Sequence, residues 1–158
     1  MSRLESMQRR ISAQIDGLNW AAGQIAALKG DVLELGLGNG RTYDHLRQLL
    51  PDRRIWVVDR VLQCHPSCVP PEDLFVPGEG RDVLPELAAK GMKFALLHYD
   101  FGRGIKADDV AEGRQMSPLI APVMRPGGLI VSQQPLVGFQ PLRGPETVDP
   151  DRYCFYRA

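Results

Sequence analysis

Residues 31–43 read DVLELGLGNGRTY, a short apolar run that passes directly into glycines at Gly36, Gly38 and Gly40. Val32, Leu33 and Leu35 are strand formers, and residues 41–50 carry helical spacing. The glycines between them let the backbone turn sharply and approach a ligand. The order strand, glycine loop, helix aims a helix N-terminus at whatever the loop holds, where free amide groups and the positive end of the dipole favour a phosphate or carboxylate. Spacing then separates two nucleotide cofactors. A dinucleotide turn reads G-x-G-x-x-G or A, its third small residue packing helix against strand. Arg41 stands at that position.

Glu34, followed by G-x-G-x-G at Gly36, Gly38 and Gly40, resembles instead the first motif of class I S-adenosylmethionine-dependent methyltransferases. Two further landmarks follow in that family's order. Residues 55–59, IWVVD, resemble its second strand with the terminal acidic residue Asp59, and residues 129–132 after Arg125-Pro126-Gly127-Gly128 resemble its fifth strand and preceding turn. The similarity spans residues 31–133. It implies an α/β fold, a Rossmann-like three-layer sandwich on a mostly parallel seven-stranded sheet with one antiparallel strand near the C-terminal end and N-terminal helices added. It also implies a transferase that uses S-adenosyl-L-methionine and releases S-adenosyl-L-homocysteine.

At 158 residues the chain has the length of one domain with a proper core. It divides into an N-terminal helical extension (1–29), a cofactor-binding core (30–133) and a C-terminal strand pair (134–158). Nineteen basic residues balance nineteen acidic ones, so no broad basic field exists to draw nucleic acid or an anionic membrane. No segment approaches the roughly 20 apolar residues of a bilayer span, and a cytoplasmic protein is expected. Three cysteines, an odd number without a dense framework, suit a reducing compartment. Cys64-His65-x-x-Cys68 offers a metal three ligands where structural zinc takes four, so no metal is expected.

Leu4, Met7, Ile11, Ile15 and Leu18 recur at intervals of three and four, predicting an amphipathic helix that lays this stripe on the rest of the molecule. Gly17 and Asn19 interrupt it, and Asn19 is placed to cap a second helix over 20–28. Prolines 66, 70 and 71 argue that the usual crossover helix between second and third strands is missing or reduced, a departure from the family pattern. Strands are expected at 54–59, 73–76, 94–99 and 129–133, and helices at 81–90 and 107–124, the latter broken, bent or begun anew at Pro118 and Pro122. A final strand pair is expected within 136–142 and 153–157.

In an open sheet of this kind the ligand sits beyond the carboxyl ends of the strands, where strand order reverses. Asp59 lies at a strand end, where a carboxylate accepts hydrogen bonds from a vicinal diol, so it is assigned to the ribose; the alternative is a loop cap. By resemblance Glu34 neighbours the cofactor's amino acid end, Gly36, Gly38, Asn39 and Gly40 form the wall beside it, and Thr42 and Tyr43 reach its carboxylate. Glu79 is assigned to adenine, with Arg60, Gly80 and Arg81 as neighbours, or else is a solvated turn residue. Trp20 either closes over the cofactor or belongs to the core. His98 and Asp100 stand where a general base would, His98 first because its ordinary pKa is about 6.5; His98 is also a cofactor-site candidate.

The family's amine-directed members often carry Asn or Asp, then Pro-Pro and an aromatic residue, at the place where this chain has His98-Tyr99-Asp100-Phe101. No cysteine follows that strand to support covalent attack on cytosine. With little room for an inserted substrate domain, a small-molecule acceptor is expected, with the N-terminal helices and the loops at 102–104 and 135–149 as lid. The first helix's stripe and the sheet edge offer a surface for a homodimer. Two other readings stand beside this one: a cofactor-binding partner module without efficient catalysis, and a nicotinamide oxidoreductase, which Arg41 disfavours.

Overall fold

A computed structural model describes residues 1–158. Its strands are β1 (Asp31–Leu35), β2 (Ile55–Asp59), β3 (Phe75–Pro77), β4 (Phe94–Tyr99), β5 (Met124–Ser132), β6 (Gln140–Leu142) and β7 (Cys154–Arg157). Its helices are α1 (Arg3–Gln24), α2 (Arg41–Leu49), α3 (Gly80–Ala89) and α4 (Lys106–Ile120). The strands form one seven-stranded sheet in the order β3-β2-β1-β4-β5-β7-β6. β1 to β5 pair in parallel, and β7 runs antiparallel to both β5 and β6. Sequence order reverses between β1 and β4, so the chain's switch point lies at the end of the glycine-loop strand.

A parallel sheet covered on both faces requires strands that are apolar throughout, and all six residues of β4, FALLHY, are buried. Alternation along the strands divides the interior in two. Val32, Leu96, Leu129 and Val131 face a core closed by Leu18, Ala21 and Ile25 and by Leu46 of α2. Leu33, Leu35, Leu97 and Ile130 face the other, closed by Val83, Leu84 and Leu87 of α3 and Met116 and Ile120 of α4.

The N-terminal region departs from expectation in two ways. α1 is a single helix that runs through Gly17 and Asn19. Gly17 is a packing notch, since a Cβ there would lie 3.1 Å from the Phe155 ring. Asn19 bonds sideways, its Oδ1 accepting from His45 Nε2 at 2.9 Å, and caps nothing. The cap is Ser2, in a capping box with Glu5. The second departure concerns the stripe. Leu4 and Met7 are 79% and 52% exposed, while the buried face is Ala13, Gly17, Leu18 and Ala21. Small residues let the C-terminal half of α1 approach the sheet closely, and its N-terminal half reaches past the strand ends.

Between β2 and β3 the chain makes two short 3-10 turns, Pro66–Cys68 and Glu72–Leu74, where a crossover helix would stand. The second turn takes up two residues expected in β3 and shifts that strand toward Pro77. α4 passes through Pro118 and ends at Ile120, Pro122 falls in a 3-10 turn (Ala121–Val123), and β5 starts as early as Met124. No helix is long and apolar enough to cross a membrane.

Gly40 caps α2 with φ 90°, and a Cβ on it would lie 2.5 Å from Cys68 Cβ in the first of those turns. Gly40→Ala therefore combines left-handed strain with overpacking and is expected to lower stability by more than about 2 kcal/mol. A fall in the urea midpoint at unchanged slope reports it; an unaltered midpoint contradicts the packing described.

Candidate active site

At the carboxyl ends of β1, β2 and β4 a cleft of about 920 Å³ opens, inside the range of about 300–1,000 Å³ usual for small-ligand sites. Its floor is the glycine loop, pinned at both ends. Gly36 N–H donates to Val58 C=O at 2.8 Å, and Gly40 N–H to Leu37 C=O at 2.8 Å. The central contacts come from Asp59, at the end of the neighbouring strand. Its Oδ2 accepts from Leu37 N–H at 2.7 Å and Gly38 N–H at 3.1 Å, and its Oδ1 accepts from Val61 N–H at 3.3 Å. A carboxylate has about four acceptor positions, so capacity remains on Oδ1. The loop glycines divide their duties: a Cβ on Gly36 would press within 2.9 Å of the Phe101 ring, whereas one on Gly38 would meet nothing within 4 Å. The loop is wedged on one side and bare on the other.

Behind the loop lies a buried polar chain. Glu34 and His98 are neighbours across the β1–β4 register and fully buried. Thr42 Oγ1 donates to Glu34 Oε1, and His98 Nδ1 donates to Glu34 Oε2 at 2.8 Å. His98 Nε2 lies 3.1 Å from the Tyr153 hydroxyl, which in turn acts on Asp100. Burial is the largest influence on His98 and disfavours its charge, but the Glu34 charge and hydrogen bond, with Asp100 beyond, outweigh it and raise the pKa. Protonated, His98 donates from both nitrogens, so one direction of donation runs from imidazolium through phenol to carboxylate.

Asp100 closes this chain at the cleft. It accepts from Arg10 Nη2 at 3.0 Å and from Gln14 Nε2, both on α1. Burial pushes its carboxyl upward most strongly, yet His98, Tyr153, Arg10 and Gln14 together hold it below the usual carboxylate value. The same two bonds fasten the N-terminal half of α1 over the cleft, where Met7 and Ile11 form part of the wall.

Of the residues singled out in the sequence, Gly36, Gly38, Asn39, Gly40, Thr42, Asp59, Arg60, Glu79, Gly80, Arg81 and Asp100 line the cleft. Glu34 and His98 stand behind its floor and are sealed from it. Tyr43 is buried in the core with the Arg47 guanidinium 5.6 Å from its ring centre. Trp20 does not close over the cleft: its ring meets Phe155 edge-on at 5.1 Å. Sequence reading expects the N-terminal helices over the site but does not single out Met7, Arg10, Ile11 and Gln14, which form that wall. The signal is the spacing of four that joins Met7 to Ile11, which sequence reading assigns to packing, and the same spacing of Arg10 and Gln14 on the adjoining face.

A sheet ordered 3-2-1-4-5-7-6 with the seventh strand reversed, a glycine loop closing the first strand and a carboxylate ending the second define a class I methyltransferase. The chain belongs to the S-adenosyl-L-methionine methyltransferase family, whose sequence profile matches residues 1–158. It is similar to the S-adenosyl-L-methionine methyl transferase of Silicibacter pomeroyi DSS-3, with 38% identity and a TM-score of 0.94 over 99% of this chain and 98% of that one. Fold alone is shared with human methyltransferase-like protein 13 in complex with S-adenosylhomocysteine, at 13% identity and a TM-score of 0.53, over 77% of this chain and 62% of that one. The same holds for the plantazolicin methyltransferase BpumL in complex with S-adenosylhomocysteine, at 8% identity and 0.53, over 82% and 49%. No protein of curated function matches the chain. The chain is thus an S-adenosylmethionine-dependent methyltransferase.

The residues present fit that cofactor. Gly38 leaves open the space its Cβ would fill, Asp59 keeps acceptor capacity for a hydroxyl, and Glu79 and Arg81 border the same cleft.

Proposed function

We propose that the chain transfers the methyl group to a small-molecule acceptor, acting as one domain in the cytoplasm. One observation carries this reading: the glycine loop shares a single cleft with one helix, α1, and the segment from Asp100 to Arg103, and no inserted domain covers it. In this reading Asp59 holds the ribose, and Gly36, Gly38, Asn39 and Gly40 the backbone of the amino acid end. Thr42 supports the floor through Glu34, and Glu79 faces the adenine with Arg60, Gly80 and Arg81 around it.

S-adenosylmethionine, when bound, supplies a methyl carbon made electrophilic by its sulfonium. The chain supplies position. Well-held partners gain effective molarities worth about 7 kcal/mol or more. Asp100, already engaged by Arg10 and Gln14 and held in its ionised form, is a weak base and a strong anchor. It keeps the α1 wall in place, while His98, with no face on the cleft, positions Glu34 and Tyr153.

Calorimetric titration with S-adenosylhomocysteine, with NAD and AMP as controls, tests the reading. One saturable site per chain, specific to the homocysteine compound, is expected, followed by multiple turnovers of S-adenosylmethionine with a small acceptor. Folded protein that binds NAD equally well would contradict it.

A further inference from the structure

We propose that the acceptor is a small oxyanion, carrying a carboxylate or phosphate on an apolar body, and that Arg103 is the residue that selects it. The proposal rests on the methyltransferase reading of the cleft. Its first support is charge. Five arginines line the cleft, among them Arg10 and Arg60, which are paired with Asp100 at 3.0 Å and Glu79 at 3.5 Å. Arg41, Arg81 and Arg103 have no carboxylate within 4.0 Å. Among the cleft carboxylates, Asp59, bonded to backbone amides, and Glu112 have no cationic side chain within 4.0 Å. Three free positive charges against these two negative ones leave a surplus of one, in a chain whose net charge is zero.

The cofactor enlarges that surplus. Its sulfonium and ammonium outnumber its carboxylate by one, so it enters the cleft as a cation and balances nothing. A cleft with low-dielectric walls concentrates such a field. The second reactant is the partner left to neutralise it, and a neutral or cationic acceptor would be disfavoured where an oxyanion is attracted.

The second support is how Arg103 is presented. Asp109 of α4 is buried, and its Oδ1 and Oδ2 accept from Arg103 N–H at 2.7 Å and Gly104 N–H at 3.1 Å. Gln134 Nε2 donates to Phe101 C=O at 3.3 Å on the same segment. A Cβ on Gly102 would lie within 2.5 Å of Gln134 Nε2 and 2.8 Å of Asp109 Oδ1, so the backbone sits flush on these two side chains. A solvated arginine needs no such clamp, whereas a guanidinium that must meet a planar oxyanion in two-pronged fashion does. In the same cleft Met7 and Ile11 keep their apolar surface uncovered. This wall suits the carbon skeleton of the same molecule.

The test uses protein saturated with S-adenosylhomocysteine and titrated with benzoate, phenyl phosphate and the neutral benzamide. Both anions are expected to bind at one site, at least about tenfold more tightly than benzamide. The ratio of the two anions tells carboxylate from phosphate. Arg103→Gln is expected to erase that preference while affinity for S-adenosylhomocysteine and the thermal midpoint are kept, and Arg103→Lys to restore part of it. No anion binding, equal binding of benzamide, or an undiminished preference in Arg103→Gln overturns the proposal. Failure of S-adenosylhomocysteine to bind strikes instead at the reading beneath it.

Discussion

Glu34→Ala is expected to remove about 3–5 kcal/mol of folding stability, the usual cost of leaving one member of a buried ion pair without its partner. Glu34 and His98 are both fully buried, and Glu34 is the acceptor for His98 Nδ1 at 2.8 Å. The pH dependence is more diagnostic than the magnitude. In the parent, His98 has a folded pKa above the ordinary 6.5. A raised pKa contributes stability that is complete below 6.5 and is lost as pH rises through the folded value, because the folded state then binds the extra proton. Parent stability should therefore decline from neutral toward alkaline pH. In Glu34→Gln, burial dominates and drives the His98 pKa down, so the unfolded state binds the proton and the slope reverses. Urea midpoints collected between about pH 6 and 9 decide the matter. Parallel curves for the two proteins would refute the pairing.

Asp59→Ala is expected to weaken S-adenosylhomocysteine binding on the order of 100-fold, the equivalent of about 3 kcal/mol in charge-assisted hydrogen bonds. Two losses combine. The ribose loses its acceptor, and Leu37 and Gly38 lose the carboxylate that fixes their amides. Asp59→Asn separates them, since one amide oxygen can still accept from both backbone groups while the nitrogen beside Val61 cannot accept at all. An intermediate affinity with near-parent stability is expected for Asn, measured by calorimetry and urea titration in parallel. Full affinity in Asp59→Ala would remove the ribose from this carboxylate.

Both predictions depend on contacts of different legibility in the sequence. The glycine loop, the β4 span and the acidic end of β2 were readable because each is local: an apolar run, a turn chemistry and a terminal side chain within a few residues. Prolines alone announced the missing crossover helix. The α1 errors came from residues with two uses. Gly17 is a helix breaker by propensity and a packing notch in fact, and Asn19 caps helices unless another helix offers it a donor. The exposed stripe was misread because periodicity shows which residues share a face and not whether that face meets a core or a cleft. Trp20 meets Phe155, 135 positions later, and His98 meets Glu34 64 positions away. No local pattern encodes such pairs.

Geometrically α1 is an arm whose natural fulcrum is Gly17, where it lies closest to the Phe155 ring. Ten residues separate Gly17 from Met7, roughly 15 Å of helix at 1.5 Å per residue, so a tilt of about 5° at the fulcrum displaces the cleft wall by about 1.3 Å. The seat of that fulcrum is the Phe155 ring on β7. Changes of side-chain size at Phe155, three strands from the glycine loop, are therefore expected to retune the cleft without touching it.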